Sequence, residues 1–372
     1  MMDEKTMSKR ERVLRAFKIS EGLPDRVPLQ FDLCKQLLEH FGEKLDIPVH
    51  YTNNLYEDVT YRISGNEIRL AMGSDVVITG ASVSDDYRIE PATDGTWINE
   101  YGMRMRQGPV YVELAEFPMA EVSTIEEVVE YSFPDVNAKG RYRDAEELIA
   151  RYKNDYVIIG DIEVTIFSLA QQLLGMEKLM IDMAMEEDYV AALFEKCTDF
   201  QTRIGIELIK RGVDAIWIGD DFGSQTGLLF SPDMFREQLK PYYKKMIKAF
   251  KEVNPDIIAI LHCDGAVKML LDDIKEIGFD VFNPVQPGVP GHSPKELKEE
   301  YGRKFAFWGA IDQQDLLPNG TDEALEEDII EKIRYLGAGG GYMIAPAHII
   351  QSDVSPGRVE KFIELCKKHG KY

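Results

Sequence analysis

A TIM-type (β/α)8 barrel built from the whole chain, residues 1–372, is the fold this sequence predicts, on three observations. Eight short apolar runs alternate with stretches of helical spacing, the rhythm of a parallel sheet crossed by helices. The runs are apolar at nearly every position, as strands covered on both faces must be. The last six end in side chains that carry chemistry, and a barrel of this type gathers its reactive groups at the C-terminal ends of its strands. An open, doubly wound sheet is the alternative arrangement of the same rhythm.

In chain order, helical spacing over residues 8–17 is broken by Gly22, Leu23 and Pro24 before the first strand, 26–31. Helices near 33–41 and 55–70 lead to the second strand, 75–80. The texture then changes. Residues 87–89, 96–98 and 110–113 alternate between Gly and Pro, which reads as a β-rich insertion, about 80–120, before the third barrel strand and not as a separate domain. Helices near 124–131 and 144–152 precede that strand, 156–162. The other five fall at 215–218, 257–261, 281–285, 305–308 and 342–345, with helical spacing between them.

Composition narrows the function. A chain 44% hydrophobic and 29% charged can bury a large core and is not disordered. Its net charge of −22 argues against nucleic acid, since a phosphate-binding face needs a clustered excess of Lys and Arg. No apolar run approaches the roughly 18 residues that span a bilayer, and the Met-Met-Asp-Glu-Lys start has no apolar signal core. Cys34, Cys197, Cys263 and Cys366 are too scattered for a disulfide framework or a metal knuckle. A cytoplasmic protein without a nucleic-acid or membrane partner is expected.

The most informative stretch is residues 257–265, IIAILHCDG, an apolar strand that ends in chemistry. Side chains alternate along a strand, so His262 and Asp264 point one way and Cys263 the other. Residues 341–348, GYMIAPAH, repeat the pattern and end in His348. Between them the strand exits offer Asp161 and Glu163, Asp220 and Asp221, Asn283 and Gln286, and Asp312. One histidine at a strand end is often a hydrogen-bonded structural residue, and a carboxylate there often caps the next helix. Two histidines converging on one mouth with several carboxylates exceed what capping explains. The glycine run 337–341 follows a helix and opens a strand, the reverse of a nucleotide loop. No GxSxG, P-loop or HExxH is present, and the methionines of 176–185 fit a helix core.

Five blocks, GDDFGSQTGLLFSPDMF (219–235), LHCDGAV (261–267), FNPVQP (282–287), FWGAIDQQDLL (307–317) and GGGYMIAPAHIIQSDVSP (339–356), resemble the uroporphyrinogen decarboxylase superfamily in order and spacing, from about residue 120 onward. The resemblance implies a TIM barrel. It also implies one of two activities, because the superfamily holds cobalamin-dependent methyltransferases beside the decarboxylases. The decarboxylases share an Arg-rich MRQAGR segment that grips substrate carboxylates, whereas residues 26–36 here, RVPLQFDLCKQ, hold one arginine. A substrate with eight carboxylates needs several forked cationic donors.

The methyltransferase branch is marked by a His-x-Cys zinc motif and a distant Cys after Ala-Pro. His262 matches the histidine, while Asp264 and His348 stand where the cysteines would be. Nitrogen and carboxylate oxygen also bind zinc, so these three form a candidate site, with Glu163 or Asp221 available to complete it. The resemblance thus implies a zinc-dependent transfer of methyl from a small methylated compound to the cobalt of a corrinoid protein. The hard N/O set suits oxygen donors such as methoxylated aromatics, and Asp220, Asp221 or Glu163 would supply an acid to the departing oxygen. The alternatives are a cofactor-free decarboxylase and a methylcobalamin:thiol methyltransferase.

Overall fold

A computed structural model describes residues 7–18, 22–52, 57–108 and 112–372. In it ten strands run in chain order: β1 (Val76–Gly80), β2 (Trp97–Ile98), β3 (Arg104–Gln107), β4 (Val112–Glu116), β5 (Val157–Asp161), β6 (Ala215–Gly219), β7 (Ile258–His262), β8 (Val281–Val285), β9 (Ala306–Ile311) and β10 (Tyr342–Pro346). Seven of them, β1-β5-β6-β7-β8-β9-β10, form one curled sheet in which every pairing is parallel.

Period-two alternation splits this sheet into two faces. Val76, Ile78, Ile159, Trp217, Ile260 and Trp308 belong to a small inner cluster, while Val77, Ile158, Ile216 and Leu261 join the larger cluster shared with the helices. Helix Lys9–Phe17, capped by Ser8 accepting the Glu11 N–H, sends Val13 and Phe17 into the inner cluster. Its Lys9 and Arg10 bind Ser74 O, Tyr156 O and Asp214, which all precede strands. The helix therefore covers the N-terminal end of the sheet, and the C-terminal end is left for a site.

Seven of the eight expected barrel strands are found, and the expectation of a strand at 26–31 needs correction. Residues 26–33 make isolated parallel bridges, Leu29 to Ile344 and Leu33 to Ile350. Ile344 N–H donates to Pro28 O, Gln30 N–H to Ile344 O, and Asp75 N–H to Leu29 O. Pro28 has no N–H to give, and the Leu29 N–H goes to the Asp75 side chain, so a continuous ladder cannot form.

Between β1 and β5 lies a separate antiparallel sheet, β2-β3-β4. It differs in detail from expectation: residues 87–89 form no strand, 96–98 shorten to two residues, and β3 was not foreseen. Residues 110 and 111 of the expected strand lie outside the described residues.

The helix expected at 55–70 is two helices, Glu57–Thr60 and Asn66–Met72, and residues 55 and 56 lie outside the described residues. The buried Glu57 carboxylate accepts the N–H groups of Ile63 and Ser64, and Tyr61 adopts φ 49°, in the left-handed region. These contacts end the first helix and turn residues 61–65 as a loop.

Candidate active site

His262 is the last residue of β7 and is buried against the indole of Trp217 on β6, with ring centroids 5.1 Å apart and planes 23° apart. Strand register places it opposite Asn283, and its Nδ1–H donates to Asn283 Oδ1 at 2.7 Å. The carbonyl oxygen can only accept, so Nε2 keeps its lone pair. Cys263 faces the outer layer and accepts the Phe222 N–H.

The loop after β7 aims Asp264. Gly265 adopts φ +87°, and a Cβ there would lie 2.4 Å from the Gly223 backbone, so the glycine of LHCDG is required by both conformation and close approach. Asp221 Oδ1 accepts the Asp264 N–H at 2.8 Å. Beyond β10, His348 donates its backbone N–H to Gln313 Oε1 and puts Nε2 3.9 Å from Asp264 Oδ2. One ligand atom each from His262, Asp264 and His348 lie within 4.8 Å of one another.

Burial lowers the pKa of both imidazoles, which keeps them neutral and able to act as ligands. Burial pushes Asp264 up to about 6, against the pull of His348. Two neutral imidazoles and one carboxylate are donors that zinc accepts. Asp264 and His348 make no closer side-chain polar contact among the described residues.

The other expected residues are placed differently. Glu163 pairs with Arg62, and its Oε1 lies 3.9 Å from His262 Nε2. Asp221 is exposed at the mouth and holds the loop of Asp264. Asp220 is not gathered with them: its buried carboxylate accepts from Ile166 N–H, Ser168 N–H and the Tyr243 hydroxyl. Burial pushes it up to about 6, and its three donors tie one loop to two helices.

Sequence reasoning missed Arg62. The loop between the two short helices drops its guanidinium over the Trp217 ring, 4.6 Å from the centroid. There it meets Asp32, Asp161 and Glu163, and Asp32 also binds Arg69. Asp161 is pushed up to about 6 by burial, against the pull of Arg62. Trp217 had a signal in the alternation of β6. Arg62 had none, because its stretch carries helical spacing.

Comparison with known proteins bears on this arrangement. The uroporphyrinogen decarboxylase (URO-D) family model matches residues 100–369. The chain belongs to the URO-D family. Relatives within it divide between two kinds of name. The methylcobamide:CoM methyltransferase MtbA of Methanosarcina acetivorans is 26% identical over 60% of this chain and 62% of its own length. The uroporphyrinogen decarboxylase of Schizosaccharomyces pombe is 28% identical over 48% of each chain. The chain thus spans less than two thirds of these relatives. A methyltransferase from Methanosarcina mazei shares the fold, with a TM-score of 0.70 over 97% of this chain and 99% of that one at 18% identity. Among the described residues no helix is long and apolar enough to cross a membrane.

Proposed function

We propose that this URO-D family member is a zinc-dependent methyltransferase that moves a methyl group from a small O-methyl donor to the cobalt of a corrinoid carried by a partner protein. The observation that carries the reading is the convergence of His262, Asp264 and His348 at the strand exits. Relatives named as methylcobamide:CoM methyltransferases support the same class of chemistry. The reading takes residues 26–33 as the eighth stave, joining β10 to β1.

Bound zinc would act as a Lewis acid on the oxygen that bears the methyl. The chain's own residues supply the rest. Asn283 holds the His262 tautomer, Asp221 and Gly265 aim Asp264, and Gln313 anchors the backbone of His348. Glu163, ion-paired with Arg62 beside His262 Nε2, would keep its negative charge there, and the departing oxygen, stabilised by the metal, would take its proton from solvent. Arg62 fixes it there.

A decarboxylase of a polycarboxylate fits less well. The cation at the mouth, Arg62, already faces three carboxylates, and a multiply anionic substrate needs several unmatched ones.

His262→Ala tests the proposal. Zinc bound per chain and the rate of methylcobalamin formation from reduced corrinoid and an O-methyl donor should both fall, the rate by at least about a hundredfold. The fold should survive with a loss of about 1–3 kcal/mol, from leaving Asn283 unpaired beside Trp217. Full activity in the variant would remove the metal site from the reaction.

A further inference from the structure

The four N–H groups that follow His262 are all held by neighbouring strand exits. Cys263 N–H donates to Asn283 O at 2.7 Å, Asp264 N–H to Asp221 Oδ1 at 2.8 Å, Gly265 N–H to Gln286 Oε1 at 2.7 Å and Ala266 N–H to Ser224 O at 2.8 Å. Two of the acceptors are side chains, and of these Gln286 alone is buried. We propose that Gln286 is a positioning residue for the metal, setting the direction of the Asp264 carboxylate by holding the peptide that follows it. The proposal rests on the metal site of the proposed function, and it does not depend on which group is transferred.

An aspartate carboxylate sits close to its own backbone, so the two peptide planes that flank Asp264 decide where it points. Asp221 holds the first plane and Gln286 the second. The second needs an outside restraint, because the residue beyond it is Gly265, at φ +87°, and glycine turns freely. The Gln286 amide is itself oriented. Gly265 N–H requires an acceptor, so Oε1 faces it, and Nε2 donates to Gln225 Oε1 at 3.1 Å.

A buried N–H needs an acceptor wherever it lies. What exceeds that need is the origin of this one: the exit of β8 orients both ligands of β7, His262 through Asn283 and Asp264 through Gln286. Period-two alternation would send Asn283 and Gln286 to opposite faces. The β8–β9 register shifts between Phe282 and Val285, an irregularity of the kind that re-aims side chains, and both amides reach the end of β7. Pro287 then favours extended backbone at Gln286, which carries its side chain clear of the next turn.

The test measures, on the full chain, zinc affinity by competitive chelator titration and the visible bands of the cobalt(II)-loaded form, which follow the donor geometry. Gln286→Leu removes the acceptor and keeps most of the bulk, so zinc should bind about 10–100-fold more weakly and the cobalt bands should shift. Gln225→Ala, at an exposed residue, should weaken zinc by about threefold or more through the loosened Gln286 amide. A role in stability alone would lower the urea midpoint of Gln286→Leu and leave both metal readouts of the folded variant unchanged, and that result overturns the proposal. If Gln286→Leu does not fold, Gln225→Ala decides, and an affinity equal to that of the unaltered chain overturns it. No zinc on the unaltered chain would sink the metal reading and this proposal together. Metal readouts that respond as expected, in a chain that transfers no methyl group to corrinoid, leave the positioning role standing and sink the functional reading.

Discussion

His262 shows what one hydrogen bond can decide. Asn283 Oδ1 accepts from Nδ1, so the ring presents Nε2 to Asp264 and His348 instead of competing for its own proton. Partners of this kind commonly change metal affinity 10–100-fold when removed. Asn283→Leu should therefore weaken zinc binding by about that factor in a competitive chelator titration, and Asn283→Asp, which keeps the acceptor, should restore it. Equal affinity in the leucine variant would show that packing against Trp217 alone orients the ring. The ligand candidates were legible because strand alternation puts i and i+2 on one face. Asn283 was visible at its strand exit, but its role needs the β7–β8 register, which one strand's sequence does not encode.

At the scale of elements, the break between helices Glu57–Thr60 and Asn66–Met72 does the most for the site, since it delivers Arg62. Burial pushes Glu57 up to about 7 although Ser64 and Ile63 donate to it. A carboxyl whose folded pKa is raised stabilises the fold fully below its unfolded pKa, near 4.5, and loses that contribution as pH rises through about 7. Between those limits the native chain should lose on the order of 3 kcal/mol from this group. Glu57→Gln removes the titration, so denaturant unfolding of the variant should have a flatter pH profile from 4.5 to 7, whatever its constant offset. Parallel profiles would mean that Glu57 ionises freely. The sequence showed helical spacing across this stretch and hid its break, because the cause is one side chain reaching six and seven residues ahead to bare N–H groups. The seven paired strands were legible because each is apolar on both faces. The insertion's short strands were not, because a half-exposed antiparallel ribbon leaves weak patterning.

For the whole molecule, the joint between the last strand and the first decides whether the sheet behaves as one unit. Asp75, fully buried, accepts from Arg12, from both terminal nitrogens of Arg26 and from Leu29 N–H. It thereby ties the helix under the sheet, the 26–33 segment and β1 to a single carboxylate. Removing one partner of a buried ionic cluster leaves the others uncompensated, at a cost of about 3–5 kcal/mol. Asp75→Ala should lower the unfolding free energy from urea titration by that amount, moving the midpoint down with little change in slope. Hydrogen exchange adds a local readout. In the unaltered chain Leu29, Gln30 and Ile344 amides should be protected almost as well as the paired strands, because each donates across the joint. In the variant, Leu29 should exchange fastest, having lost its acceptor. Rapid exchange of Leu29 and Gln30 before any substitution would mean that 26–33 lies on the sheet without closing it, and the eight-stave reading would fall.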